Sequence, residues 1–259
     1  MKSYLSKFSI NDIIKIESQD LQFIALQKAR NKIDSNTKSK KEKIINQNLF
    51  LFLILQNWLV SYQIAWSWES RREEFSQKIS KDRKKISQSL LKEKNNINRR
   101  YEFLTTSKYN KRIYNIKKSR LIRFNKILED INRDNPKNFL NHYQDMNWLL
   151  NIISQIMQRP RDSKTLTFTI KMFGYGARII LKKIVYYPID INIPIDSRLK
   201  KIYEINTNQK LSNNIKDKKM IAKYFADLSN QYKIPPLHLD SILRIDYRKK
   251  HIKNKLLLI

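Results

Sequence analysis

The sequence predicts an all-α protein. Only two glycines and six prolines punctuate its 259 residues, and apolar side chains recur mainly at three- and four-residue spacing, which suits a helix with one buried face. A chain of this length can bury a large core, as one domain or as two closely packed lobes rather than a string of modules. No repeat of solenoid length is apparent.

In chain order, Asp12 to Arg30 is expected to form a first amphipathic helix, and Asn31 to Lys43, rich in Lys, Ser and Asn, a polar linker. Ile45 to Trp66 reads as an apolar helix. Its apolar run is interrupted by Gln56, Asn57, Ser61 and Gln63, so it is expected in the core rather than across a membrane. Glu69 to Asp134 is strongly charged and predicts two or three solvent-facing helices with Tyr101, Phe103, Ile113, Leu121, Phe124 and Leu128 turned inward. Pro136 ends that region.

Asn138 to Gln158 shows a broad stripe of Phe139, Trp148, Leu149, Ile152, Ile153 and Ile156. It breaks at Arg159-Pro160-Arg161-Asp162-Ser163, where Asp162 or Ser163 is placed to cap a helix from Lys164 to Leu181. Val185 to Ile195, with Pro188 and Pro194, reads as extended or irregular. Asp196 stands at the N-cap of a helix from Ser197 to Glu204. Helices near Asp217 to Tyr232 and Leu237 to Asp246 lead to a basic tail within 247–259.

Lysine and arginine number 53 against 23 aspartates and glutamates, a formal charge of +30. Such an excess favours a polyanionic partner, nucleic acid first. An AT-rich coding sequence or a hot habitat would also enrich charged residues, so the excess alone does not decide. There is no cysteine, which excludes disulfides, thiolate nucleophiles, zinc-thiolate sites and iron–sulfur clusters and fits an intracellular chain.

The segment 138–198 carries the chemistry. Two helices joined by a tight turn, the second opening with a lysine, have the shape of a helix-hairpin-helix element, whose turn amides and helix N-terminus suit a DNA phosphate. Arg159 and Arg161 add charge at that turn. Lys164, Phe168 and Lys171 lie at i, i+4 and i+7 on one face of an otherwise apolar helix. Either both lysines snorkel to solvent, or they line a cleft. In the second reading a partly buried Lys164 beside another cation loses proton affinity and becomes the nucleophile for a sugar C1′. Asp196 is a helix cap in the plain reading; in the other it also faces the lysine and steadies developing positive charge. Gly174 and Gly176 are expected to admit a neighbouring helix closely.

These segments resemble a known family. Ser163-Lys164-Thr165 through Lys171-Met172-Phe173, followed by Ile193-Pro194-Ile195-Asp196, is similar to the archaeal 8-oxoguanine DNA glycosylase (AGOG) family, a divergent branch of the helix-hairpin-helix glycosylases. The resemblance extends to Asp20-Leu21-Gln22-Phe23-Ile24-Ala25-Leu26, Val60-Ser61-Tyr62-Gln63 and Pro235-Pro236-Leu237-His238-Leu239-Asp240-Ser241, in the same order along the chain. It implies a two-lobed helical unit over 1–259 with a cleft between lobes. It also implies Schiff-base formation by Lys164, a catalytic carboxylate at Asp196, an active-site role for Lys171, and a base pocket that includes Gln22, Ser61, Phe168 and Asp240.

Each pocket residue has a plain alternative: Gln22 and Ser61 as satisfied helix polar groups, Phe168 as core, Asp240 as an early-helix acid. The family carries tryptophan near Arg72 and at Arg244, where aromatic planes sandwich the extruded purine. A guanidinium can also lie flat against a base, so Arg244 stays in the expected pocket. Trp66 and Trp68 are alternative walls or ordinary aromatics.

The resemblance therefore implies a bifunctional N-glycosylase and AP lyase of base excision repair, acting on duplex DNA with oxidised guanine. It needs no metal or cofactor, and is expected to be a monomer in an archaeal-type cytoplasm or nucleoid. Two rivals stand beside it: a non-catalytic basic DNA-binding protein that keeps the hairpin, and a basic helical RNA-binding protein.

Overall fold

The computed structural model describes residues 5–34, 39–61, 112–134, 142–212 and 214–245, together with 74, 77 and 107. Among them the regular structure is helical throughout, with no strand. The helices are α1 Ile10–Ser18, α2 Leu21–Asp34, α3 Lys40–Val60, α4 Tyr114–Asp134, α5 Met146–Met157, α6 Lys164–Leu181, α7 Ser197–Thr207 and α8 Ile215–Tyr232. A ninth, α9, covers 236–245.

The starts follow local chemistry. Ser9, Ser39, Asp145 and Asn214 each accept a backbone N–H three residues on, at 3.3, 3.1, 2.9 and 2.7 Å, relieving helix-start donors that lack intrahelical partners. Four helices stop on left-handed residues that are not glycine, Gln158 (φ 51°), Lys182 (φ 51°), Asn208 (φ 55°) and Lys233 (φ 53°).

Several boundaries differ from expectation. The single helix foreseen from Asp12 to Arg30 is two helices, broken at Gln19 and Asp20, whose amides bond the carbonyls of Ile16 and Glu17 at 3.0 Å each. The linker foreseen from Asn31 is still helix as far as Asp34, and its last residues, from Lys40, already belong to α3. That helix ends at Ser61 (φ −83°, ψ 58°) rather than at Trp66. Ile113, expected to face inward, is exposed in a left-handed turn before α4. Leu121 and Phe124 are buried as expected. A 3-10 turn at His142 and Tyr143 precedes α5. Tyr101, Phe103, Phe139, Trp66, Trp68, Arg72 and the tail 247–259 lie outside the described residues.

The chain divides into two compact units. The first comprises 1–20, 162–168 and 186–259, the second 21–161 and 169–185. In the first unit Ile13 of α1, Ile193, Leu199 and Tyr203 of α7, Ile221, Phe225 and Leu228 of α8, and Leu239, Ile242 and Leu243 of α9 form one core, each large side chain contributing about 1.5–3 kcal/mol.

In the second unit α2 packs on α3, α3 on α4 and α4 on α5. Phe52 and Phe124 stack at 5.8 Å. The Arg123 Nε donates to the Ile156 carbonyl at 2.9 Å, covering an end carbonyl of α5. Gly176 of α6 lies against α3: a Cβ there would collide with the Ile54 Cδ1 and stand 3.2 Å from the Leu51 Cδ2. The close approach expected of the glycines is therefore found at Gly176.

Candidate active site

At the end of α5 the Gln158 N–H bonds the Gln155 carbonyl at 3.1 Å and the Arg159 N–H bonds that of Ser154 at 3.2 Å. The Ser154 hydroxyl in turn donates to the Arg159 carbonyl at 2.6 Å. Arg159 and Arg161 are both exposed, and the Arg161 Nη2 donates to the Asn147 Oδ1 at 2.8 Å. The Ser163 carbonyl accepts the Leu166 and Thr167 amides at 2.9 and 3.1 Å, so α6 begins where the sequence put it. The Ser163 side chain does not cap it: its Oγ is buried without a hydrogen-bond partner.

Lys164 opens α6 and is exposed, whereas Lys171 is completely buried. The partial burial expected of Lys164 is absent because the first residue of α6 follows an exposed turn. Lys171 sits where the apolar face is deepest, its Nζ over the Tyr175 ring at 5.6 Å.

In the first unit, five side chains are joined by direct contacts. Asp196 is the N-cap of α7, its Oδ1 accepting the Leu199 amide at 3.0 Å. Its Oδ2 accepts from the Arg198 Nη2 at 3.3 Å. The same Nη2 donates to the Asp240 Oδ1, and Nη1 to the Asp240 carbonyl at 3.4 Å. The other Asp240 oxygen accepts from the Arg244 Nη2 at 3.2 Å. The Arg244 guanidinium lies 5.3 Å from the centre of the Phe168 ring, within cation–π range. Lys164 is one helical turn before Phe168.

Asp240 is fully buried, while the Arg198, Arg244 and Asp196 side chains keep 11, 15 and 22% of their surface. A buried carboxylate is tolerated when both oxygens are paired, and two guanidiniums meet that demand. The set is formally neutral, two acids against two arginines. Its one carboxylate with appreciable access to solvent is Asp196.

Sequence reasoning selected Asp196, Asp240, Arg244 and Phe168 but missed Arg198, which links the first two. A signal was available: a cation in the first turn opposes the helix dipole, so Arg198 beside an N-cap aspartate calls for a tertiary reason.

The remaining expected residues belong to the second unit. Gln22 is buried on α2. Ser61 is buried at the end of α3, its hydroxyl donating to the Asn57 carbonyl at 2.5 Å and its amide to the Trp58 carbonyl at 3.3 Å. Next to Gln22, Phe23 meets Tyr175 edge-on at 5.4 Å, and the Arg178 guanidinium lies 4.5 Å from the Phe23 ring centre. Among the described residues no group of three or more His, Cys, Asp or Glu side chains is placed to hold a metal, and no helix is long and apolar enough to cross a membrane.

An all-helical chain with a lysine opening the helix after a hairpin, and an aspartate capping a later one, has the build of a DNA-repair glycosylase. The chain belongs to the AGOG family of N-glycosylase/DNA lyases, whose family model matches residues 2–254. It is 33% identical over 240 residues to an N-glycosylase/DNA lyase of Methanococcus maripaludis, covering 91% of this chain and 82% of that one. It is 30% identical over 256 residues to one from Nanoarchaeum equitans, covering 98% and 93%. Its fold matches the crystal structure of the 8-oxoguanine DNA glycosylase from Pyrobaculum aerophilum complexed with 8-oxoguanosine. That match has a TM-score of 0.70 at 21% identity, over 95% of this chain and 86% of that one.

Proposed function

We propose that this chain removes oxidised guanine, 8-oxoguanine, from duplex DNA through a lysine Schiff base and then nicks the strand. The observation that carries the reading is the cluster Asp196–Arg198–Asp240–Arg244–Phe168, in the same unit as Lys164. In it a partly open carboxylate is linked by hydrogen bonds to Asp240 and Arg244, and Arg244 covers Phe168, so that three of the five expected pocket residues share one set with Asp196. The relative from Pyrobaculum aerophilum, crystallised with 8-oxoguanosine, supports the choice of lesion.

The basic surface, with Arg159 and Arg161 at the hairpin turn, engages phosphates without regard to sequence. The damaged nucleotide is extruded from the stack so that its sugar reaches Lys164. Lys164 is exposed in the free protein, and bound DNA supplies the desolvation of its amine.

The unprotonated Lys164 Nζ forms a bond to C1′ as the N-glycosidic bond breaks. The base departs with that electron pair and is protonated. Asp196 stabilises the positive charge developing on the sugar and accepts the proton that the lysine nitrogen releases. Opening of the sugar ring, with Asp196 returning that proton to the ring oxygen, gives the protonated imine. Loss of the C2′ proton, with the electron pair moving toward that imine, expels the 3′ phosphate, so chemistry and strand scission share one lysine. Lys171, Gln22 and Ser61 belong to the second unit, and the resemblance to the family is what assigns them active-site roles.

Borohydride trapping on a duplex containing 8-oxoguanine tests this directly. Wild type is expected to crosslink and Lys164→Ala to lose the adduct. Equal crosslinking by the variant refutes the assignment. Arg244 sits over Phe168 where the family has tryptophan, and this favours one competing reading, a DNA-binding protein that does not release bases. Tight duplex binding by wild type with neither base release nor trapping would select it.

A further inference from the structure

We infer that Arg198 is a positioning residue for the glycosylase/lyase reaction: its guanidinium holds the Asp196 carboxylate in its working orientation by tying it to the buried Asp240. The inference rests on the reading of Asp196 as the catalytic carboxylate.

The geometry gives the reason. An N-cap aspartate bonded only through Oδ1 to the Leu199 amide is free to swing its other oxygen about the bond to Cγ. The 3.3 Å contact of the Arg198 Nη2 with Oδ2 removes that freedom. Arg198 is in turn held by two acceptors on Asp240, the carboxylate Oδ1 and the backbone carbonyl. The fork geometry of a guanidinium allows this division between two acidic residues, and the single point charge of a lysine ammonium does not reproduce it. The anchor is rigid because Asp240 is wholly buried and its second oxygen is taken by Arg244.

A carboxylate has room for about four hydrogen-bond contacts. Asp196 therefore keeps acceptor capacity for the reacting sugar after receiving Leu199 and Arg198. Arg198 occupies a first-turn position that the α7 dipole disfavours, a local cost offset by its place between the two acids.

The test uses full-length protein and single-turnover cleavage of an abasic-site duplex, which needs no assumption about the lesion. Arg198→Lys keeps the charge and loses the fork; Arg198→Gln loses the charge; Asp196→Asn runs in parallel. The inference expects both Arg198 variants to lose about 10- to 100-fold in the maximal rate, with duplex Kd within about threefold of wild type. The loss is expected to fall on the rate of the bound complex and not on Kd. A purely structural role would weaken duplex binding along with the rate. Unchanged rates in both variants, or losses of rate and binding in equal measure, overturn the inference, and if Asp196→Asn is inactive alongside unchanged Arg198 variants the reading of Asp196 survives. An Asp196→Asn variant as fast as wild type overturns that reading and the inference with it.

Discussion

Replacing Glu17 by alanine tests whether the first unit depends on a buried polar brace. The Glu17 side chain is wholly buried, as are His238 and Ser241 to within 1%. Its Oε1 meets the His238 Nδ1 at 2.9 Å and accepts from the Ser241 hydroxyl at 2.9 Å. The Tyr187 amide points at the His238 Nε2 from 3.4 Å, which makes Nε2 the acceptor and gives the ring proton to Nδ1. Glu17→Ala therefore leaves the His238 Nδ1–H without this acceptor, at about 1–3 kcal/mol for a buried donor. Ser241 keeps the Leu237 carbonyl at 3.4 Å, so its share falls at the low end of the same range. The total is about 2–4 kcal/mol, a large part of an ordinary stability of about 5–15 kcal/mol. Ser241→Ala, which leaves Glu17 its histidine, is expected to cost about 1 kcal/mol. Urea unfolding followed by far-ultraviolet circular dichroism measures both. A Glu17→Ala loss below about 0.5 kcal/mol, or one smaller than that of Ser241→Ala, would refute the account.

Two further outcomes are expected. Gly176→Val should lower the Tm through about 1–3 kcal/mol of overpacking against Ile54 and Leu51. Pairing it with Ile54→Val should cost less than the sum of the single changes, as a double-mutant cycle would reveal. Asp12 titrates below the ordinary carboxylate range because the Ser9 hydroxyl donates to it, followed by the Ser9 amide. Its contribution to stability is therefore present above that range and fades as pH falls through the depressed value. Ser9→Ala should bring the Asp12 titration back up in an NMR pH series, and an unmoved Asp12 would refute the capping argument.

The part of the site along α6 was legible because local rules agree there. The turn at Arg159-Pro160 and the apolar spacing after Lys164 both announce a helix, which runs over Lys164–Leu181 as expected. Asp196 was legible as a cap for the same reason and bonds Leu199 accordingly. The break between α1 and α2 was harder to read, since neither glycine nor proline marks it. The polar run Ser18-Gln19-Asp20 before Leu21 was the available sign, outweighed by apolar periodicity that continues across it. Ile113 was misread because a left-handed turn turned an apolar residue outward.

By itself the sequence determined the helical class, the family through its ordered motifs, the lysine at the head of α6 and the aspartate at the head of α7. All of these rest on contacts within a few residues or on motif order, which a one-dimensional string records. Only the tertiary structure decided that Lys171 is buried while Lys164 is open. It alone showed Arg198 joining Asp196 to Asp240, which lies 42 positions beyond Arg198, and Arg244 covering Phe168. Burial and long-range pairing depend on which helix faces meet, and that is set by packing of the whole core rather than by any residue's neighbours in sequence.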